Sequence, residues 1–228
     1  MIDVADNLAG VRERVARAEE RAGRPLGSVK IIAVSKTKPA ALVSEAIRAG
    51  VTTVGENYVQ EAAGKIDAVG RTNASWHLIG HLQRNKVTRA VELFDVIQTI
   101  DSLALVDALD RQGVKRAKPV RILIEVNTGG EASKSGVAPE RAAELVAQLS
   151  ARTHLRVEGL MTVPPPVSAA ADVRPYFVML RRLREQLAPS VPTISELSMG
   201  MSEDFEVAIE EGATMVRIGR AIFGVREG

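Results

Sequence analysis

Val29-Lys30-Ile31-Ile32-Ala33-Val34-Ser35-Lys36-Thr37 is followed at once by Lys38-Pro39 and then by residues 40–49, Ala-Ala-Leu-Val-Ser-Glu-Ala-Ile-Arg-Ala. The first nine residues are a short, largely apolar run rich in β-branched side chains, which predicts a strand. Pro39 suits the first turn of a helix, where no backbone N–H is needed, and residues 40–49 continue as that helix. The same unit recurs along the chain. Upstream, Val4, Leu8, Val11, Val15 and Ala18 repeat at three- and four-residue spacing and predict a helix over 3–22, ended by Gly23 and Pro25. Downstream, strands are predicted at 52–58, 75–80, 96–100, 120–127, 156–163, 193–199 and 215–223. Helical segments fall between them at 59–68, 82–93, 103–116, 140–151, 173–187 and 203–211.

Several of these strands are continuous apolar runs, the pattern of parallel strands whose faces are covered by helices. Strands alternating with helices imply a parallel α/β architecture. Eight units in 228 residues fit a single (β/α)8 TIM barrel, one domain over residues 1–228, preceded by an N-terminal helix. A doubly wound open sheet is the alternative. No Gly-x-Gly-x-x-Gly follows the first strand, which counts against a dinucleotide-binding sheet. Val163-Pro164-Pro165-Pro166 reads as a stiff loop, not an interdomain linker.

Composition narrows the function classes. Apolar residues make up 46% and charged residues 25%, with 30 basic against 28 acidic side chains and a net charge of +2. That balance offers no nucleic-acid footprint, which would need Lys and Arg gathered on one face. The tight basic run Arg181-Arg182-Leu183-Arg184 reads as a solvated helix face, and Glu210-Glu211 as a solvated helix end. The chain has no cysteine, so disulfides, thiolate catalysis and cysteine metal sites are excluded. Neither a signal peptide nor a membrane span is expected, so the expected location is cytoplasmic.

Barrel chemistry sits at the carboxyl ends of the strands. There, Lys36 alternates with Ile32 and Val34, so its side chain is expected to point into the barrel. Desolvation lowers a lysine pKa, and the neutral amine is the nucleophile that forms an imine with a carbonyl. The alternative is a lysine whose stem crosses the apolar wall and whose head meets a carboxylate. At the seventh and eighth strand ends, Ser198-Met199-Gly200-Met201-Ser202 and Arg217-Ile218-Gly219 suggest a phosphate site. Gly200 and Gly219 would admit close backbone approach, Ser202 would cap a helix beginning near Glu203, and Arg217 would supply a forked cationic contact. Read alone, the same residues describe a capped helix with an arginine on a strand. His77 and His81 lack a third ligand for zinc and read as structural, hydrogen-bonding groups. Trp76 reads as core.

An imine-forming lysine with a phosphate cradle suggests pyridoxal 5'-phosphate. The stretches from Ile32 to Thr37, Gly55 to Glu61, Trp76 to Lys86, Ser198 to Asp204 and Val216 to Gly219 resemble, in order and spacing, the YggS/PROSC family, the pyridoxal phosphate homeostasis proteins. The resemblance implies a barrel like the N-terminal domain of alanine racemase. It also implies a Schiff base on Lys36, Asn57 close to the cofactor, and phosphate held by Ser198, Gly200, Met201, Ser202, Arg217 and Gly219. One departure is Arg220, where the family often carries Thr or Ser; the resemblance then implies that a hydroxyl contact to phosphate would be lost there while a backbone contact would survive. The resemblance implies a carrier acting in vitamin B6 homeostasis, and little or no turnover is expected because no second acid–base group opposite Lys36 is expected. Expected partners are the cofactor and, transiently, apoenzymes that accept it; no membrane or nucleic acid is expected, and a monomer is. Alternatives are a racemase-like enzyme of low activity and a cofactor-free Schiff-base aldolase. Against the racemase, no second β domain is expected, and no tyrosine suited to the role, Tyr58 and Tyr176 falling near or within helices.

Overall fold

Asp3 opens the first helix by accepting a hydrogen bond from the Asp6 N–H at 3.0 Å, which satisfies one of the free amides of the first turn. From there α1 runs over Val4–Arg21 and buries Val4, Leu8, Val11, Val15 and Ala18 on one face. The computed structural model describes residues 3–131, 134–149 and 152–224. Strands and helices then alternate: β1 (Lys30–Val34), α2 (Ala40–Arg48), β2 (Thr53–Glu56), α3 (Val59–Val69), β3 (Ser75–Leu78), α4 (Val87–Leu93), β4 (Val96–Ile100) and α5 (Leu103–Arg116). The second half continues with β5 (Val120–Glu125), α6 (Pro139–Leu149), β6 (Leu155–Met161), α7 (Arg174–Leu187), β7 (Glu196–Ser198), α8 (Phe205–Glu210), β8 (Met215–Ile218) and α9 (Arg220–Phe223).

The eight strands form one closed barrel in sequence order, every pair parallel, with β8 returning to β1 in the register Ile32↔Arg217 and Ala33↔Ile218. Closure removes every free sheet edge. The expected (β/α)8 barrel is the observed fold.

The ring of helices is closed in an unexpected way. The helix after β8, α9, has only four residues, and α1 packs against α8, α9 and α2. The N-terminal helix therefore occupies the eighth position of the outer ring. Asn7 Nδ2 donates to the Ile222 carbonyl at 3.0 Å, Arg14 pairs with Glu206 and stacks on Phe205, and Arg24 donates to the Ile209 and Ala213 carbonyls.

Several expected boundaries are corrected. Residues 35–37, expected in the first strand, form a turn, with Thr37 at φ +64°. Residues 220–223, expected in the last strand, are the short helix α9; Ile222 and Phe223 are buried there, so their apolar run resembles a strand. The segment 82–93 begins with a 3-10 turn at Arg84–Lys86, and the helix expected from Glu203 starts at Phe205 with Asp204 at its N-cap. The last two residues of the segment expected over 140–151 lie outside the described residues. Glu210 and Glu211 are not a solvated helix end: Arg174 meets both, at 2.7 and 2.5 Å, and buried Glu211 also meets Arg181 at 3.2 Å. Arg181 is thereby drawn out of the solvated basic face.

Because α1 stands in for a ring helix, its core side chains are structural. Leu8→Ala removes a side chain that is 1% exposed and is expected to cost about 2–5 kcal/mol of unfolding free energy, as large-to-small core changes do. Denaturant titration checks it, and a loss below about 1 kcal/mol would show α1 to be dispensable to the barrel.

Candidate functional site

At the carboxyl ends of the strands lies a cleft of about 690 Å³. Val34 and Lys36 from the β1 end, Asn57 after β2, Ile79 after β3, Val163 after β6, the turn Met201–Asp204 after β7, and Arg217, Gly219 and Arg220 of the β8 end line it. Lys36, Asn57, Met201, Ser202, Arg217 and Gly219 are thus brought together, while Ser198 and Gly200, also expected to hold phosphate, are not among the lining residues.

Lys36 is half-buried and reaches this wall from the turn beyond β1, sharing it with Val34 as their alternation predicts. The turn is held on both sides of the lysine. Ser35 Oγ donates to Glu56 Oε1, and Lys65 Nζ donates to the Ser35 carbonyl at 2.5 Å, to Glu56 Oε1 at 2.6 Å and to Glu61 Oε1 at 2.7 Å. The Thr37 N–H donates to the same Glu61 oxygen at 2.5 Å. That bond holds a non-glycine residue in the left-handed region, where L-residues are disfavoured by about 1–2 kcal/mol. Burial pushes the Glu56 carboxyl above its ordinary range, against the bonds from Lys65 and Ser35.

The loops after β7 and β8 are tied to each other. Gly200 stands at φ +92°, and a Cβ there would lie 2.6 Å from the Ala208 Cβ and 2.9 Å from the Phe205 Cα. Its smallness serves the turn and the packing of α8 as much as any approach to a ligand. Ser202 does not cap a helix: Asp204 captures the Met201 N–H at 2.6 Å and forms a turn first, while Ser202 Oγ accepts from the Ala221 N–H at 3.4 Å. Arg220 pairs across the two loops with Glu203 at 2.6 Å. Gly219 lines the cleft, and a Cβ there would come within 3.3 Å of the Val34 carbonyl oxygen. Asn57 Oδ1 is buried and accepts no hydrogen bond, and the backbone of Asn57 is backed so closely by Gly80 that a Cβ on Gly80 would meet its carbonyl at 2.3 Å.

Beneath the cleft a directional chain of hydrogen bonds crosses the barrel. Buried Arg217 donates from Nη1 to Ser198 Oγ at 2.8 Å and from Nη2 to the Thr162 carbonyl at 2.7 Å. Ser198 Oγ donates to Gln98 Oε1 at 2.7 Å, and Gln98 Nε2 donates to His77 Nδ1 at 2.8 Å. Ser198 is therefore fully buried under the site with its hydroxyl engaged by the protein, and Arg217 forms the floor of the cleft. Burial, with Lys30 and Arg121 nearby, takes His77 down to about 3, so it is neutral and structural, as its sequence context suggests. His81 is exposed elsewhere. Burial lowers Arg217 to about 10, opposed by Glu125 and Asp204; it stays charged at neutral pH. Glu125, buried at the end of β5, is pushed up to about 7 by burial and by Asp101, against the pull of Arg217, and its Oε2 has no partner.

Sequence reasoning missed Lys65 and Gln98, and gave Glu125 no role beyond its place at a strand end. Lys65 stands four residues after Glu61 on α3, the spacing of an ordinary surface pair. Gln98 sits inside an apolar strand that reads as core. No local signal separates these from structural positions, because their roles come from residues distant in the chain.

Residues 7–227 match the family described as alanine racemase, N-terminal domain. The chain is 43% identical to the pyridoxal phosphate homeostasis protein of Pseudomonas aeruginosa, over 100% of this chain and 97% of that one. It is 42% identical to the protein of that name from Aquifex aeolicus, over 99% and 100%. Among solved structures, PipY of Synechococcus elongatus with PLP bound superposes at a TM-score of 0.84 with 35% identity, covering 97% of this chain and all of that one. An alanine racemase of Clostridium difficile, at 14% identity and a TM-score of 0.74, shares the fold over 57% of its own length.

The two perturbed groups His77 and Glu125, both buried, act on stability in opposite directions. His77, neutral in the fold, takes a proton on unfolding below its ordinary 6.5, so it makes stability fall as pH drops from about 6.5 towards 3. Glu125, protonated in the fold up to about 7 against an ordinary 4.5, makes stability fall as pH rises through that range. Between about pH 4.5 and 6.5 the two slopes oppose each other. Glu125→Gln is expected to uncover the His77 slope, up to about 1.4 kcal/mol per pH unit, in denaturant titrations of ligand-free protein across this range. An unchanged pH profile would mean Glu125 is ionised in the fold.

Proposed function

This chain belongs to the pyridoxal phosphate homeostasis proteins of the alanine racemase N-terminal-domain family, and from that premise we propose that it holds pyridoxal 5'-phosphate on Lys36 and releases it to other proteins with little turnover of its own. The observation that carries the reading is the meeting of the Lys36 amine, with Lys38 on the same lining, and the loops after β7 and β8 in a single cleft. When bound, the cofactor supplies an aldehyde for the amine, a phosphate dianion and an electron-withdrawing pyridine ring.

The residues present fit such a group. Lys36 supplies the nucleophilic amine at one wall. The bare backbone at Gly219 and the turn through Gly200, Met201 and Ser202 face it as the phosphate end. Arg220, in an exposed and therefore weak pair with Glu203, adds a cation there in place of a hydroxyl. Arg217 gives the floor its positive charge, and Ser198, through its bond to that guanidinium, orients it rather than touching the ligand. Asn57 Oδ1, buried and unmatched, calls for a donor from whatever fills the cleft. Val34, Ile79 and Val163 give the ring apolar walls.

The racemase-like alternative needs a second acid–base group facing Lys36. Tyr58 is 58% exposed at the start of α3 and Tyr176 lies on α7 in the outer ring, so neither supports it. The proposal extends to a cytoplasmic monomer that meets cofactor-accepting apoenzymes transiently. No helix among the described residues is long and apolar enough to cross a membrane.

Purified chain mixed with pyridoxal phosphate is expected to develop a visible band that borohydride bleaches, leaving the reduced cofactor's mass on Lys36. Lys36→Ala is expected to show the spectrum of free cofactor only. Identical spectra from both proteins would refute the assignment of Lys36, and racemisation of an amino acid at ordinary enzymatic rates would refute the carrier reading.

A further inference from the structure

We propose that Lys65 is a positioning residue for Lys36, working through Glu56 and Glu61 as a buried clamp on the turn that presents the amine. The proposal rests on the reading of Lys36 as the aldehyde-capturing residue.

Lys65 is 6% exposed and Glu56 is fully buried. Taking such charges out of water is costly, and a well-packed apolar replacement is often as stable. A charged cluster at this place therefore asks for a reason beyond stability. Its hydrogen bonds give one. Lys65 Nζ reaches the Ser35 carbonyl, and Glu56 receives the Ser35 hydroxyl, so the residue before Lys36 is held at two atoms. Glu61, itself bound to Lys65, receives the Thr37 N–H, so the residue after Lys36 is held as well. Three elements converge here: the β1 end, the β2 end with Glu56, and α3 with Glu61 and Lys65.

The grip has a definite object. Thr37 lies in the left-handed region at φ +64°, which a threonine leaves unless a partner holds it. Without the Glu61 bond the turn relaxes towards ordinary backbone angles, and the direction of the Lys36 side chain changes with it. Capture replaces the aldehyde C=O bond by a C=N bond to Nζ, and the oxygen leaves as water with both amine hydrogens. That exchange needs Nζ within bonding approach of a carbon whose place is set by the far phosphate loops. A small misdirection of the lysine is enough to slow or weaken it.

The test uses the full chain and two probes, pyridoxal 5'-phosphate and pyridoxine 5'-phosphate, whose alcohol cannot form the bond to Lys36. Lys65→Met and Glu61→Ala are compared with wild type and with Glu61→Gln. Glutamine keeps an oxygen able to accept from Thr37 N–H and from Lys65. Covalent capture is read as the mass fraction carried on Lys36 after borohydride, and pyridoxine phosphate affinity by calorimetry. Lys65→Met and Glu61→Ala are expected to weaken capture about tenfold or more, with pyridoxine phosphate affinity within about twofold and capture restored in Glu61→Gln. Equal loss for both probes, or capture undiminished in the two variants, would overturn the clamp. The half-exposed Glu61 pair decides the matter even if Lys65→Met fails to fold. A wild-type chain that binds pyridoxine phosphate but captures no pyridoxal phosphate would instead overturn the assignment of Lys36, and the clamp with it.

Discussion

The pairing of β8 with β1 is the constraint on which the rest of this structure depends. Opposite ends of the chain meet in that ladder, with Ile32 beside Arg217 and Ala33 beside Ile218. It removes the last open edge of the sheet. It also sets the turn bearing Lys36 beside the loop bearing Gly219, residues separated by most of the chain. The four-residue α9 leaves a vacancy in the helical ring that α1 fills, so both chain ends are committed to the same seam. A cleft built across that seam exists only when the barrel is closed.

Inside the barrel the polar groups are arranged so that few are left without a partner. The path from Arg217 through Ser198 and Gln98 to His77 has one consistent direction of donation, which fixes the amide orientation of Gln98 and leaves Nδ1 of His77 as an acceptor. Buried networks of this kind rigidify a core when every member is satisfied. Among the described residues, the barrel strands and their ends leave Glu56 Oε2, Asn57 Oδ1, Trp76 Nε1 and Glu125 Oε2 without a partner, and of these residues Asn57 lines the cleft. A buried polar atom without a partner calls for one, and Asn57 Oδ1 is placed to take it from whatever fills the cleft.

The order of elements was legible because apolar periodicity reports burial directly. Boundaries were less so. Ile222 and Phe223 are buried on a short helix that packs against α1, not on a strand of the barrel, and a buried run of either kind reads alike. Lys36 was legible as an inward-facing group from its alternation with Ile32 and Val34. Ser198 and Ser202 were legible as site residues only by neighbourhood: one hydroxyl is spent on Gln98 and Arg217's floor, and the other bridges to Ala221. Lys65 was invisible, since a lysine one helical turn from a glutamate has the pattern of an exposed pair, and only the fold of α3 over the β1 end buries it.

By itself the sequence determined the parallel α/β repeat, the count of eight strands, the exclusion of cysteine chemistry and the strand ends where chemistry would gather. These follow from local periodicity and composition, which need no knowledge of distant partners. Tertiary structure alone decided that α1 completes the ring and that Asp204 rather than Ser202 shapes the β7 loop. It also decided that a buried lysine with two carboxylates holds the turn around Lys36. Each of these is a choice of hydrogen-bonding or packing partner between residues far apart or on different elements. A linear pattern records how often a residue is buried but not against what, and the partner is fixed only when barrel closure brings the groups within bonding distance.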